Sequence, residues 1–517
     1  MSGISESVLA SLSTADHVES RVGPLEFTDG APSAKTVETL YDHLDFVHGV
    51  NAYMTAFPGA STKAMHEGFR SIGVEDNQVL MFSELMDSSS LFLTANADTV
   101  YYISFINLAD GPMVVETPPN ALGTIDDMWF HWIIDFGLPG PDRGAGGRFL
   151  LVPPGYEGPL PEGGFYVGHS RTNRALLLGR SFIQNDDPAP TVAEIKSTLK
   201  IYPYTPGGPG TSVATLLKGV VQFVPPAAIP DTTFVEGTGT AFNTIPPTDA
   251  RFFETVHALL QDEPADAGDM EIVGHLGELG IVKGKPFNPD ERMRRILDEA
   301  ATVGNATSRA LMFDPRGEED LFWYPNSAWA NLLYQGGYEF DRPIAEVTPD
   351  GIEPYPPTGT RKHDMRTLFF YGYTGITPAM AMRLTGIGSQ YLVAFMDANM
   401  EFLDGAKAYT VTLPPDIPGA RFWSITLYDN QTRSMLATPQ RYPRAGSQAY
   451  PSPAAVAGPD GSTTIHVGPA QPEGVPAGNW IQTSASKGWF AVLRVYSPLQ
   501  PFFDKTWRVG EFQPTPD

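Results

Sequence analysis

The 517-residue chain contains no cysteine, which removes disulfides, thiolate nucleophiles, zinc–thiolate sites and cysteine-ligated iron–sulfur clusters together. Any catalysis must rest on oxygen and nitrogen side chains or on a bound group. Positive charge is also scarce. Against 59 Asp and Glu stand 34 Lys and Arg, giving a formal charge of −25 and a pI of about 4.7. That field repels phosphate backbones, and the basic residues form no cluster along the chain, so nucleic acid is not an expected partner. No run of ~18 apolar residues occurs, so no membrane span is expected. The first twenty residues have neither the basic nor the apolar part of a secretory signal, and the expectation is a soluble protein, cytoplasmic by default.

Several chemical motifs are missing too. No His-x-x-x-His, His-x-His or His-x-x-Glu-His spacing occurs, nor an Asp-rich calcium loop, so dedicated metal chemistry is not expected. The cofactor stays unknown, and an oxygen-ligated cation remains open. The glycines at 144–147 lack the Lys-Ser/Thr of a nucleotide loop. The Gly-x-Ser-x-Gly elbow of α/β-hydrolases is absent as well.

What is present describes a globular chain: 42% hydrophobic and 11% aromatic residues with only 18% charged can bury a core. The 51 Gly and 48 Pro read as turns joining many short strands. From Ser33 to Phe57 apolar residues recur at three and four, predicting one amphipathic helix capped by Ser33. Short apolar or alternating bursts follow at 78–82, 90–95, 99–108, 112–117, 127–136, 148–154, 164–169 and 175–182. Helical patterns come next at 192–199, 212–221, 250–260 and 290–310. Strand patterns return at 390–397, 408–414, 421–429, 463–469 and 489–496. The predicted architecture is mainly β with a helical insert. It divides into an N-terminal helical segment (1–75), a β-sandwich (76–190), a helical and loop insert (191–378) and a second β-sandwich (379–517).

Two strand-like segments carry chemistry. Read at period two, 127–136 places Met128, Phe130, Trp132, Ile134 and Phe136 on an apolar face. Asp127, Trp129, His131, Ile133 and Asp135 fall on a mixed one, where carboxylates orient an imidazole. A covered sheet face with a merely hydrogen-bonded His131 is the competing reading. In the second segment, Asn96 and Asp98 share a face and Tyr101 falls on the other. They are placed either to hold a substrate hydroxyl or to form a turn that starts a strand. Near the C-terminus, Phe422, Ser424, Thr426 and Tyr428 oppose Trp423, Ile425 and Leu427. Arg494 shares a face with Tyr496, where it stacks on a ring, binds a carboxylate or pairs with an acid.

Longer motifs carry a family resemblance. The runs 41–46, 57–60, 68–74, 85–88, Asn96 to Tyr101, Asp126 to Phe130, 140–147 and 151–158 resemble the domain of unknown function 1254. The runs 403–405, Phe422 to Asp429, 431–436, Asn479 to 483, 487–490 and 503–508 resemble the domain of unknown function 1214. The resemblance implies two jelly-roll-like β-sandwich domains with a helical portion between them. Two positions depart from the pattern: Ala95-Asn96-Ala97-Asp98-Thr99 stands where the family has Pro-Asn-Thr-Asp-Thr, and His131 stands where relatives carry arginine. Weight therefore shifts from His131 toward Asn96, Asp98, Trp129 and Arg180.

The expected function is a hydrolase or lyase of unknown substrate with its site in the cleft between the sandwiches, acting on a small molecule or a glycan. Its catalytic candidates are Asp98, His131, Asp127 and Tyr101. Its substrate-binding candidates are Asn96, Trp129, Arg180, Trp423, Asn479 and Trp480, the tryptophans being suited to stack on sugar rings. The alternative is a non-catalytic glycan-binding or envelope-associated protein. A homo-oligomer is compatible with either.

Overall fold

The computed structural model describes residues 4–316, 321–334, 337–342, 347–348, 351–352 and 360–515. Ser33 does cap the first long helix, its Oγ accepting from the Thr36 amide at 3.2 Å, as an N-cap serine should. That helix, Ala34–Thr55, stops two residues short of the expected end. A second helix, Phe57–Ser71, begins at once, with Pro58 in its first turn, where the missing N–H costs nothing. The single helix expected over 33–57 is thus followed by an unforeseen one, masked in sequence by Pro58 and Gly59. These helices pack with Arg251–Asp262, Met270–Glu278, Glu291–Phe313 and His363–Gly372. The Ala34–Thr55 helix approaches Glu291–Phe313 so closely that a Cβ on Gly49 would lie 2.6 Å from Ala300 Cβ.

About a quarter of the chain is helix and about a quarter strand. The protein is therefore a mixed α/β molecule of several sheets rather than mainly β. The correction comes from helices long enough to equal the many short strands in weight. In the N-terminal half, six strands run in the order Phe234–Glu236, Val79–Met81, Thr99–Asn107, Arg174–Phe182, Ala121–Asp127, Trp132–Gly137. Four more run Tyr166–His169, Arg148–Val152, Met113–Glu116, Lys200–Pro203. In the C-terminal half a five-stranded sheet runs Trp329–Ala330, Ser389–Ala394, Trp489–Pro498, Gly419–Asp429, Arg444–Gly446. Beside it lie Trp480–Gln482, Thr463–Gly468, Tyr409–Leu413 and Gln513–Pro514.

Strand alternation then assigns the faces. Val100, Tyr102, Ile106, Ala175, Leu177 and Ile125 of the six-stranded sheet share a core with Val115, Phe149 and Leu151 of the four-stranded one. The opposite face carries Ile103, Phe105 and Leu176 into a larger core shared with the helices and the C-terminal sheets. The N- and C-terminal halves therefore meet across the second face of the six-stranded sheet, and Asn96, Tyr101 and Arg180 gather there. Among the described residues, no helix is long and apolar enough to cross a membrane.

Candidate functional site

Cross-strand register builds the N-terminal wall. Arg180 lies opposite Tyr101 on one side and Leu122 on the other, and Leu178 lies opposite Thr124, which pairs in turn with Asp135. The C-terminal wall is made likewise: Tyr391 opposes Arg494, which opposes Ser424, while Ser389 opposes Tyr496. Between the walls lies a cavity of about 120 Å³. Its lining includes Asn96, Tyr101, Thr124, Asp135, Arg180, Tyr373, Ser389 and Tyr391, with apolar contributions from Met86, Phe92, Leu122, Leu178 and Met380.

Three arginines and one carboxylate organise the interface. Asp98 is wholly buried and receives Arg444 Nε at 2.8 Å, Ser424 Oγ at 2.6 Å and Tyr496 Oη at 3.0 Å. Asn96 Nδ2 donates to Tyr496 Oη at 2.6 Å, and Asn96 Oδ1 accepts from the Asp98 amide at 2.8 Å. The latter bond makes Asn96 to Asp98 a turn ahead of the Thr99–Asn107 strand, the second of the two sequence readings. Arg494 Nη2 donates to Tyr428 Oη at 2.6 Å and to the Thr94 carbonyl at 3.0 Å. Arg180 Nη2 donates to Ser389 Oγ at 2.8 Å, while its Nη1 has no well-formed hydrogen bond among the described residues.

Ser389 Oγ donates to Tyr391 Oη at 2.7 Å, so the Tyr391 oxygen is an acceptor within a field of two guanidiniums. Burial works against ionising this phenol, but Arg180 and then Arg494 outweigh it and hold its pKa below the ordinary value. Burial pushes the neighbouring Tyr101, Tyr373 and Tyr496 upward instead. On the facing wall, burial raises Asp135 to about 7 despite hydrogen bonds from Thr377, Trp132 and Thr124. The cavity thus brings together a fixed cation, an acidified phenol and a carboxyl group that changes charge near neutrality.

His131 belongs elsewhere. The segment 127–136 is not one strand but a hairpin: Ala121–Asp127 ends, residues 128–131 turn, and Trp132–Gly137 returns. Asp127 causes the turn, its Oδ1 accepting from the amides of Trp129 at 2.7 Å and His131 at 2.9 Å, and Phe130 sits at φ 58°. The period-two faces drawn across the segment therefore do not hold, because a side-chain cap replaces strand pairing. Asp127 Oδ2 meets His131 Nδ1 at 2.9 Å, and Asp269 Oδ1 lies 3.3 Å from Nε2. Burial works to lower this imidazole, but Asp127 and Asp269 outweigh it and raise the pKa to about 9. At neutral pH it is a paired cation.

The remaining candidates divide similarly. Trp129 is buried, its ring packed where Gly59 and Gly268 leave room. Asn479 is consumed by backbone, binding Val456 through both its carbonyl and its amide, and the Thr464 carbonyl. Trp423 is buried in the core and Trp480 half-buried, and neither lines the cavity. Of the sequence candidates, then, Asn96, Tyr101 and Arg180 line the cavity and Asp98 braces it. The sequence reading did not select Ser389, Tyr373, Tyr391 or Arg444. Its one available signal was Ser389 and Tyr391 standing two apart on a strand.

The chain resembles the crystal structure of the VPA0106 protein from Vibrio parahaemolyticus with a TM-score of 0.50 and 16% identity, over 91% of this chain and 100% of that one. It also matches an uncharacterized protein from Burkholderia cenocepacia with a TM-score of 0.37 and 11% identity, over 93% of this chain and 98% of that one. No curated protein matches the sequence. Residues 77–203 match the family model described as protein of unknown function (DUF1254) and residues 388–500 the one described as protein of unknown function (DUF1214). The chain thus carries a DUF1254 region followed by a DUF1214 region, and the cavity is lined from both and from residues 373–387 between them.

Proposed function

We propose that this protein is a lyase acting on a small carboxylic acid in the cavity between its N- and C-terminal sheets, with each sheet pair read as a jelly-roll-like sandwich that gives the cavity a rigid wall. The observation that carries the reading is the placement of Arg180 beside Tyr391, with Asp135 on the same lining. A guanidinium takes a carboxylate in its planar fork, and the charge it neutralises makes the adjacent C–H more acidic. Tyr391, as phenolate, removes that proton. The freed electron pair forms a carbon–carbon double bond as the β substituent leaves, and protonated Asp135 supplies the proton to the departing group. A pKa of about 7 suits that exchange near neutrality.

Size favours a small substrate. A cavity of about 120 Å³ compares with one of roughly 150 Å³ that holds benzene, whereas a sugar polymer needs an open groove. Lyase chemistry fits better than hydrolysis, since among the described residues no histidine lines the cavity. The test is a panel of small carboxylic acids with β hydroxyl or amino substituents, followed by NMR for unsaturated product. The expected result is turnover by native protein and loss of it in Arg180→Met. A panel that neither binds nor reacts counts against the proposal.

A further inference from the structure

A second cavity, of about 310 Å³, lies on the His131 side of the molecule and plays no part in the proposed reaction. Its walls include the half-buried rings of Trp132 and Tyr338. Three arginines line it, Arg171, Arg361 and Arg366, together with the carboxylates of Asp269, Glu271 and Glu339. Arg366 comes from the His363–Gly372 helix with its side chain 13% exposed, and its Nη1 lies 3.4 Å from Asp269 Oδ2. Arg171 follows the Tyr166–His169 strand, and its Nη1 lies 3.6 Å from the other oxygen, Asp269 Oδ1. A satisfied charge-assisted pair closes to ~2.7–2.9 Å, as Arg444 and Asp98 do at 2.8 Å. Asp269 thus forms a long ion pair with each guanidinium and a close charge-assisted hydrogen bond with neither. The Arg366 guanidinium makes no hydrogen bond to the described residues, and that of Arg171 lies 3.3 Å from His131 Nδ1, whose proton goes to Asp127, so this approach is not a hydrogen bond.

We propose that this cavity binds a phosphate monoester carried on an aromatic ring, with the phosphate held by Arg171 and Arg366 and the ring lying against the aromatic wall. Two guanidiniums flanking Asp269 on opposite oxygens ask for acceptors on more than one side. A phosphate offers three oxygens, a planar carboxylate two. His131, cationic and lining the same space, adds to the attraction. The half-buried Trp132 and Tyr338 supply the surface against which the ring packs. In a chain of charge −25, such a basic recess is a local exception.

Isothermal titration of the full chain with phenyl phosphate, inorganic phosphate and benzoate tests the site. Phenyl phosphate should bind saturably, about tenfold or more tighter than either of the others, which amounts to ~1.4 kcal/mol. Arg366→Gln should weaken it by a similar factor, as should Arg171→Gln, which alters a half-exposed side chain and serves if the first variant does not fold. No saturable binding, or binding unchanged in both variants, overturns the site. Benzoate equal to phenyl phosphate overturns the phosphate assignment, and inorganic phosphate equal to it overturns the aromatic one.

Discussion

Asp98 and Arg444, from opposite halves of the chain, form an ion pair of 2.8 Å in which neither side chain is exposed. Both charges are taken out of water, and each is tolerated only because of the other. Ser424 and Tyr496 occupy the second Asp98 oxygen, so the carboxylate joins the DUF1214 sheet to the turn that starts the Thr99–Asn107 strand. Asp98→Ala leaves Arg444 buried without its counter-charge and should cost about 3–5 kcal/mol in urea unfolding. A loss below about 1 kcal/mol, the scale of an exposed pair, would show that the joint is not where the two halves are held.

Tyr391 should ionise below the ordinary tyrosine value of about 10, because Arg180 and Arg494 favour the phenolate. Removing one guanidinium weakens that preference. The difference in near-ultraviolet absorbance between native protein and Tyr391→Phe isolates this one phenol. Repeating the difference in an Arg180→Met background should move the transition to higher pH. A transition that does not move means that Arg180 does not set the phenol's charge.

For Asp135 the folded pKa of about 7 lies above the unfolded value near 3.8. The associated stability is present below the unfolded value and is lost as pH rises through about 7, because ionisation of the buried carboxyl is disfavoured. Asp135→Asn has no such loss. Its stability relative to native protein should therefore grow from about pH 4 to about pH 8, by up to about 4 kcal/mol. Chemical denaturation across that range reads the difference directly, and a flat difference would remove Asp135 as a group that changes charge near neutrality.

His131 carries the opposite kind of charge. Its folded pKa of about 9 lies above the ordinary 6.5, so its stabilisation is complete below the lower value and is lost as pH rises through the upper one. The stability gap between native protein and His131→Gln should be up to about 3 kcal/mol at about pH 6 and should nearly close by about pH 10. A gap independent of pH would mean that the imidazole packs without being charged.

The sequence made the strands with clear alternation legible: Thr99–Asn107, Arg174–Phe182, Gly419–Asp429 and Trp489–Pro498 all fall within or across predicted segments. Ser212 and Asp290, placed at helix starts, prove to be caps. Edge strands such as Phe234–Glu236 and Trp480–Gln482 were missed because three residues are too few to display a period. The hairpin at 127–136 was hidden because the side chain that makes the turn, Asp127, reads equally well as an outward strand position. At the site, Asn96 and Tyr101 stand out from local context and Arg180 through the family resemblance, and all three line the cavity. Arg444 and Tyr391 were not chosen, since what gives them meaning is contact across a great length of chain: Arg444 and Asp98 are 346 positions apart. Pattern reading sees neighbours in sequence, and the charges that matter here are neighbours only after folding.

The central claim is that Tyr391 removes a proton next to a carboxylate held by Arg180, and solvent exchange tests it most directly. Native protein is incubated in deuterium oxide with a carboxylic acid that it binds but that lacks a leaving group, and NMR follows the hydrogen beside the carboxylate. The account predicts that deuterium enters that position with native protein. It predicts binding without exchange for Tyr391→Phe, and neither binding nor exchange for Arg180→Met. Binding to native protein with no exchange, or exchange undiminished in Tyr391→Phe, would contradict it.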